Sequence, residues 1–358
     1  MKLNTLNISN FRQYKRKSFA FKSTQTVIHG DNTSGKSTLL EAIMMLINGA
    51  SIWTNSTDEL MSMDSEKYFR LEGELEFDGS IQNRVVKYDK GKLRFMINDK
   101  VVSRKKFVKN KQAFIFSPEL IELIMVSSAF RRKYLNDFIS KLYPEYGVEL
   151  KRLNGALRQR NAVLKKLART LYETGSIPDK PMQLDIWSEK FIDASTKAFE
   201  IKQKVIRELN AQNEKFFLQW RIGDIDLLTP DSTTFMNTLG ERLEEQYRKD
   251  VARGHTGTGM HRDDWLLHMD LDIKKFGSRG EKRVAIVSLL SYLHKMFQKA
   301  NFETMILIDD LPSELGEKFL SDALNQFKAN GIQRIITTLR PTDTKLLTQK
   351  CDIIDLSQ

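Results

Sequence analysis

The sequence has a single cysteine, Cys351, among 358 residues. One cysteine excludes an internal disulfide and any zinc site built from clustered cysteines. No apolar run approaches the roughly 20 residues of a membrane span, and the N-terminal stretch lacks the continuous apolar segment of a signal peptide. We therefore expect a cytoplasmic protein that does not cross a membrane.

The composition is that of a globular protein, with 41% hydrophobic and 29% charged residues. This length and composition allow one large or two moderate domains, each with a sizeable core. Neither an internal repeat nor a low-complexity segment interrupts the chain.

The most informative stretch is GDNTSGKST, which matches the pattern G-x-x-x-x-G-K-[ST]. It follows the apolar pair Val27 and Ile28 and precedes a helical pattern, and this strand–loop–helix context predicts a phosphate cradle. We expect Lys36 to reach the β- and γ-phosphates and the Ser37 hydroxyl to bind Mg²⁺. The predicted nucleotide-binding residues here are Gly30, Asp31, Asn32, Thr33, Ser34, Gly35, Lys36, Ser37 and Thr38.

A second candidate element is the apolar run at 305–308, which leads directly into Asp309 and Asp310. Such a run predicts a buried parallel strand that delivers an acid to the carboxyl edge of the sheet, where ligands bind in open α/β sheets. Asp309 is then the expected Mg²⁺ partner. Asp310, the next residue, is predicted to polarise the attacking water.

The third element is Ser278, Arg279 and Gly280, at the start of a predicted helix. Two interpretations stay open for this segment: an anion site at a helix N-terminus, or an ordinary N-cap with Glu281 in the first turn. The order along the chain favours the anion site. Phosphate loop, helical insertion, serine-glycine helix start and acid-tipped strand are the arrangement of ATP-binding-cassette heads.

Periodicity predicts the other elements. Two short strands meet at 10–12, and alternation from Tyr68 to Ile97 predicts an antiparallel meander. Two helices, at 148–171 and about 187–209, are expected to form a short antiparallel arm, about 36 Å long for the first of them. Further helices are predicted at 129–142, 284–297 and 317–328, and further strands at 113–116, 265–271, 304–308, 334–337 and 353–356.

These elements predict an α/β fold, an ATP-binding-cassette head with a mixed sheet and an inserted helical lobe. The expected division is a first part of the ATPase lobe at 1–116, a helical arm or second lobe at 117–250, and the remainder of the ATPase lobe at 251–358.

The formal net charge of +11 suggests a polyanionic partner, and the charges are clustered. Between Arg131 and Leu171 there are eleven basic residues and three acidic ones. A solvated basic helix face is the simpler interpretation, but clustering together with net charge favours contact with DNA phosphates. The candidates are Arg104, Lys105, Lys106, Arg131, Arg132, Lys151, Arg152, Arg158 and Lys165.

Taken together, these motifs resemble the RecF family of bacterial recombination-repair ATPases, which are related to SMC-type heads. The shared stretches, in family order, are NFRQY, GDNTSGKST, FSPELIELI, RRKYL, LRQRNAVLKK, GHTGTGMHRDD, FGSRGEKR and LIDDLPSEL. The resemblance therefore covers nearly the whole chain.

The resemblance implies ATP in the phosphate loop, Mg²⁺ on Ser37 and Asp309, and Asp310 as the hydrolytic carboxylate. It implies that Ser278, Arg279 and Gly280 contact the γ-phosphate of ATP bound to a second copy of the chain. A slow, DNA-stimulated ATPase would then close as a homodimer on duplex DNA and at junctions of single- and double-stranded DNA. The implied role is gap repair and fork restart, with RecO- and RecR-type mediators that help load recombinase onto DNA coated with single-strand-binding protein.

The sequence also departs from this family at several positions. Met260 replaces a proline, Glu281 and Lys282 replace glutamines, Gly316 replaces an aspartate and Trp53 replaces an arginine. These positions bear on hydrolysis and on dimer contacts rather than on nucleotide binding.

Two other classes of function remain as alternatives. A defence-type ATPase would carry a similar head, but its nuclease effector would have to be a separate protein, since little sequence follows the strand that ends at Thr337. A small-molecule P-loop kinase would not need the serine-glycine helix start. A nucleotide-dependent shift from monomer to dimer separates the first two classes from the kinase.

Overall fold

A computed structural model describes residues 1–62, 68–77, 79–212, 216–223, 225–310, 331–339 and 351–357. The described chain forms two compact units. Unit 1 comprises Met1–Ile121 and Ile286–Gln358, and unit 2 comprises Glu122–Ala285. The predicted helix at 317–328 and Gly316 lie outside the described residues.

The strands and helices follow in chain order. The strands are β1 (Lys2–Phe11), β2 (Tyr14–Ala20), β3 (Gln25–His29), β4 (Tyr68–Phe77), β5 (Ser80–Asp89), β6 (Lys92–Ile97), β7 (Lys100–Val102), β8 (Lys111–Phe116), β9 (Phe217–Ile222), β10 (Ile225–Asp226), β11 (Asp264–His268), β12 (Glu303–Ile308), β13 (Gln333–Thr338) and β14 (Asp352–Asp355). The helices are α1 (Lys36–Asn48), α2 (Arg104–Phe107), α3 (Pro118–Val126), α4 (Ser128–Leu142), α5 (Pro144–Thr174), α6 (Met182–Ala211), α7 (Ser232–Glu245), α8 (Tyr247–Arg253), α9 (Ile273–Phe276) and α10 (Arg279–Lys299).

Unit 1 contains a parallel sheet in the order β14-β3-β13-β12-β8. Its central strands are buried on both faces, as their continuous apolar runs require. Because the strands are parallel, the loop after β3 and the acids after β12 emerge at the same edge, with the end of β13 between them. This topology sets the position of the candidate site.

A six-stranded antiparallel sheet in the order β2-β1-β4-β5-β6-β7 completes the described strands of unit 1. Its strands alternate between buried and outward-facing residues, most clearly in β4, as the sequence predicted for the meander. Helix α1 is almost wholly buried, and one apolar core joins it to residues of both sheets. The helix therefore fixes the phosphate loop, which precedes it, to the core of the unit.

Unit 2 is built on the long helices α5 and α6, which have 31 and 30 residues. At about 1.5 Å per residue, α5 is about 46 Å long, more than predicted, because Pro144 is accommodated in its first turn. A short connection at 175–181 joins two helices that pack along each other, so they run antiparallel.

The predicted return to the ATPase lobe at residue 251 differs from the structure, in which unit 2 continues to Ala285. Strand β11 pairs antiparallel with β9, and this pairing binds the segment after 251 to unit 2. Since β9 lies more than 40 residues earlier in the chain, local periodicity does not reveal the pairing.

The GHTGTGMHRDD segment and the residues next to it supply polar groups to the interior of unit 2. The Arg160 guanidinium, 1% exposed, donates to the carboxylate of Asp250 at 2.9 Å and to Thr256 Oγ1 at 2.5 Å. The carboxylate of Asp263 accepts from Lys202 Nζ at 2.5 Å and from the Trp220 indole N–H at 2.7 Å. Buried charges of this kind need partners, so this segment holds unit 2 together.

Among the described residues, no helix has both the length and the apolar character that crossing a bilayer demands.

The buried His294 of α10 predicts that the folded state loses stability in acid. Its Nε2 lies 3.0 Å from Thr304 Oγ1, and burial, with a smaller contribution from Lys295, lowers its pKa from 6.5 to about 4. The folded state thus binds a proton on His294 more weakly than the unfolded state does. The contribution of His294 to stability is therefore complete above about pH 6.5 and is lost as the pH falls towards 4. From pH 7.5 to 5, this group should lower the free energy of unfolding by up to about 2 kcal/mol.

Urea unfolding at both pH values tests this expectation in the wild type and in His294→Gln. The variant should lose part of the acid sensitivity, whereas the half-buried control His255→Gln should keep all of it. Burial also lowers the pKa of His261 in unit 2 to about 4, so some pH dependence should remain. An unchanged pH dependence in His294→Gln would contradict the assignment.

Candidate nucleotide-binding site

The phosphate loop lies between β3 and α1, as the sequence predicted. The ammonium group of Lys36, which is buried, donates to the carbonyl oxygens of Gly30 at 2.7 Å and Asp31 at 2.8 Å. Thr33 and Gly35 have φ values of 74° and 100°, which turn the backbone tightly before the helix. The first N–H groups of α1 have no partners within the helix, so this end of α1 is suited to phosphate.

Both glycines of the motif are required by close contacts. A Cβ on Gly30 would lie 2.7 Å from Ser34 Oγ, and a Cβ on Gly35 would lie 2.5 Å from the Tyr14 hydroxyl oxygen. These distances leave no room for a side chain, and Gly35 also has a left-handed φ that favours glycine.

Asp309 follows β12 and is 2% exposed. Thr337 Oγ1 donates to its carboxylate at 2.5 Å. The Ser37 side chain lies near enough to lower the pKa of Asp309. Burial raises the pKa of Asp309, and the Ser37 and Thr337 hydroxyls oppose the rise. The fold thus brings together the two residues, Ser37 and Asp309, that the sequence predicted as metal ligands.

Asp310 has a left-handed backbone, with φ 46°, and its N–H donates to Thr337 Oγ1 at 2.9 Å. Thr337 therefore holds both acids, through the side chain of one and the backbone of the other. Sequence reasoning identified Thr337 only as a strand residue. Its position at the end of the strand predicted after the helix at 317–328 was the signal that could have revealed it.

The donors at this edge suit a hard divalent cation. A hydroxyl and a carboxylate are oxygen ligands of the kind that Mg²⁺ prefers, and Mg²⁺ commonly takes its remaining ligands from phosphates and water. Within the described ranges, no group of three or more His, Cys, Asp or Glu side chains could form a metal site from protein atoms alone.

Ser278 and Glu281 form a reciprocal capping box at the start of α10. The Glu281 N–H donates to Ser278 Oγ at 3.2 Å, and the Ser278 N–H donates to the Glu281 carboxylate at 2.7 Å. The N-cap interpretation is therefore correct locally, and it leaves Ser278, Arg279 and Gly280 exposed. These three residues belong to unit 2, whereas the phosphate loop belongs to unit 1.

The predicted DNA contact at Arg131 is wrong. This side chain is 3% exposed, and its guanidinium donates to both carboxylate oxygens of Asp264, at 2.8 and 2.7 Å. It also donates to the carbonyl oxygens of Ile124 and Met125. Counting charges along the helix could not reveal an acid 133 residues later in the chain.

The other predicted DNA contacts differ in exposure. Arg132 is half-buried and donates to the carbonyl oxygen of Asp263 at 2.8 Å, and Arg152 pairs with Glu149 at 3.2 Å. The exposed residues of the predicted set are Arg104, Lys105, Lys106, Lys151, Arg152, Arg158 and Lys165.

The structure shows the surroundings of three positions at which the sequence departs from the RecF pattern. Met260 is buried, at 5% exposure. Trp53 is partly buried against the core of unit 1. Glu281 is the partner of Ser278 in the capping box. These contacts account for Met260, Trp53 and Glu281 as packing or capping residues.

Comparison with known proteins identifies the family. The model of the RecF/RecN/SMC N terminal domain matches residues 2–355. The chain belongs to this family. The predicted fold, an ATP-binding-cassette head, is confirmed, and so is the resemblance to RecF.

Individual RecF proteins are similar over nearly the whole length. One, "DNA replication and repair protein RecF" of Caldanaerobacter subterraneus subsp. tengcongensis, is 29% identical over 367 residues, which cover 96% of this chain and 96% of the relative. The protein of the same name from Acetivibrio thermocellus is 26% identical and covers 98% of this chain and 95% of the relative. The solved structure "recombination mediator protein RecF-ATP in RecFOR pathway" has 25% identity and a TM-score of 0.81, covering 100% of this chain and 98% of that one.

Proposed function

We propose that this chain is a RecF-like, DNA-binding ATPase of recombinational gap repair and replication-fork restart. The observation that carries the proposal is the approach of Ser37, in the phosphate loop, to the buried carboxylate of Asp309 at the end of β12, whose pKa it lowers. This contact joins the two halves of a nucleotide site that lie more than 250 residues apart in the chain. The names of the similar proteins, including a RecF described with ATP, support the same function.

In the proposed site, the loop at 30–38 binds ATP through its backbone N–H groups and Lys36. Ser37 and Asp309 would hold Mg²⁺, which would neutralise charge on the phosphates. The Asp310 carboxylate orients the attacking water and accepts its proton. Hydrolysis is proposed to be slow and stimulated by DNA.

The proposal requires a second copy of the chain. Ser278, Arg279 and Gly280 are exposed at the start of a 21-residue helix, where the helix dipole favours a phosphate. We assign them to the γ-phosphate of ATP bound by the partner copy. ATP would then close a homodimer, and hydrolysis would release it.

The proposed DNA contacts exclude Arg131 and rest chiefly on α5. Lys151, Arg158 and Lys165 are exposed and recur every seven residues, so they lie on one face of the helix, about 10 Å apart. Arg104, Lys105 and Lys106 form a second exposed group in unit 1. Phosphate contacts of this kind favour DNA structure over sequence, consistent with a preference for junctions and with RecO- and RecR-type partners.

The decisive variant is Asp310→Asn, which should bind ATP but accumulate as a dimer. Asparagine has nearly the same shape and tolerates the left-handed φ of this position, but it cannot accept the proton of water. Light scattering with Mg²⁺ and ATP should therefore show twice the monomer mass of 41.5 kDa. Added duplex DNA should bind to this dimer with an affinity that falls steeply as salt rises.

Asp99→Asn is the matched control, because Asp99 is also left-handed, with φ 63°, in the turn after β6. It should behave as the wild type does. An Asp310→Asn protein that stays monomeric with ATP and DNA would contradict the two-headed mechanism and favour a monomeric kinase.

A further inference from the structure

The turn between β1 and β2 contacts the phosphate loop from outside. This turn carries the NFRQY motif, to which the proposed function gives no role. Gln13 Nε2 donates to the carbonyl oxygen of Thr33 at 2.7 Å. The Tyr14 hydroxyl donates to the carbonyl oxygen of Gly35 at 3.1 Å. Two peptide groups of the loop are therefore held by side chains from another element.

These bonds bear on phosphate binding because each peptide group is planar. In a trans peptide the carbonyl and the N–H point in opposite directions. The carbonyl oxygen of Gly35 accepts from the Tyr14 hydroxyl and also from the Leu39 N–H of α1, at 2.8 Å. The N–H of Lys36, on the same peptide, is therefore directed away from that hydroxyl. This N–H belongs to the first turn of α1, where N–H groups have no partner within the helix.

The turn is itself held firmly. Arg12 has a left-handed φ of 51°, a conformation that costs free energy in a residue with a side chain. Its guanidinium donates to both carboxylate oxygens of Glu41 in α1, at 2.8 and 3.0 Å, and to the carbonyl oxygen of Glu59 at 2.9 Å. Its backbone N–H donates to Leu60 O at 2.8 Å. The turn is thus anchored to the same helix that begins in the phosphate loop.

Tyr14 is packed so that its hydroxyl has little freedom. The side chain is 8% exposed, and its ring meets Phe19 edge-on, with centroids 5.8 Å apart. Burial raises the pKa of Tyr14 to about 12. The hydroxyl therefore keeps its proton, and remains a donor, throughout the neutral range.

We propose that Gln13 and Tyr14 are positioning residues, which hold the backbone of the phosphate loop in the conformation that binds nucleoside di- and triphosphates. They act through the carbonyl groups of the loop and do not touch the nucleotide. This inference rests on the proposed function, since it assigns the loop to nucleotide binding. It gives the NFRQY turn a role in setting affinity for ATP and ADP.

Two variants each remove one hydrogen bond and little else. Tyr14→Phe keeps the ring and its packing, and Gln13→Met keeps the length of an exposed side chain. A net hydrogen bond is worth a factor of about 5 in an equilibrium constant, so each variant should weaken ADP and ATP binding about fivefold. The double variant should be weaker than either single one.

Tyr146→Phe is the matched control. Its hydroxyl donates to Asn136 at 2.7 Å in unit 2, and the residue is fully buried. Calorimetric titration with ADP and ATP, together with thermal melting, separates positioning from general stability. Tyr146→Phe should lower the melting temperature as Tyr14→Phe does but should leave nucleotide affinity unchanged.

The outcomes are distinct. Wild-type affinity in both Tyr14→Phe and Gln13→Met, or an equal loss in Tyr146→Phe, would overturn the inference. If Tyr14→Phe does not fold, Gln13→Met alone decides, with unchanged affinity counting against the inference. A wild-type protein that binds neither nucleotide would overturn the proposed function and this inference with it.

Discussion

Lys36→Ala should weaken the binding of ADP and ATP by at least about 100-fold, since it removes charge-assisted hydrogen bonds to the phosphates. In the structure this ammonium group is buried in the loop and already faces backbone oxygens of Gly30 and Asp31. The side chain of Lys36, the first residue of α1, extends back over the loop. No other lysine within the described phosphate loop could replace it.

Calorimetric titration measures this loss directly. Lys36→Met retains most of the buried stem, so it should lose nucleotide affinity to a similar extent with a smaller change in stability. Lys92→Ala, an exposed residue at the start of β6, is the control and should bind as the wild type does. Affinity within a few-fold of wild type in both Lys36 variants would remove the assignment of the nucleotide site.

The second large effect is expected in the interior of unit 2, where Asp250→Ala should destabilise the fold by about 3–5 kcal/mol. Asp250 is wholly buried and pairs with Arg160, which is 1% exposed. The aspartate also accepts from the N–H of Gly257 at 2.8 Å. Its removal would leave the Arg160 guanidinium buried, with the Thr256 and Ser188 hydroxyls as its remaining partners in the described part of the chain.

Urea unfolding measures this difference. Replacing both residues, as Asp250→Ala with Arg160→Met, should recover part of the loss, because no unpaired charge remains. Glu149→Ala removes an acid from the exposed pair with Arg152 and should change stability by less than about 1 kcal/mol. A loss equally small in Asp250→Ala would show that the buried pair does not stabilise unit 2.

The sequence predicted best those features of the structure that depend on residues close together in the chain. The glycines of the phosphate loop and the alternation of β4 to β6 are local features, and the structure contains them. The meeting of Ser37 and Asp309 was also within reach, because parallel strands place their carboxyl ends at one edge.

What the sequence did not reveal depends on distant partners. Arg131 carries the same charge as its neighbours, and only the position of Asp264 makes it a buried residue. The bonds from Gln13 and Tyr14 reach the loop 20 or more residues on, and Thr337 has no motif of its own. Charge and periodicity are properties of the local sequence, whereas these roles depend on distant residues that the fold brings into contact.

The order of the parallel sheet has a consequence for synthesis on the ribosome. Within the described strands, β3 has only β13 and β14 as neighbours, and both lie beyond residue 332. The strand that precedes the phosphate loop is therefore made before unit 2 but gains its flanking strands after it. Unit 2 is one continuous segment that ends at Ala285, so it can fold before β3 gains its neighbouring strands. A nascent chain thus completes the candidate nucleotide site only after β13 and β14 have been made, later than the basic helix α5.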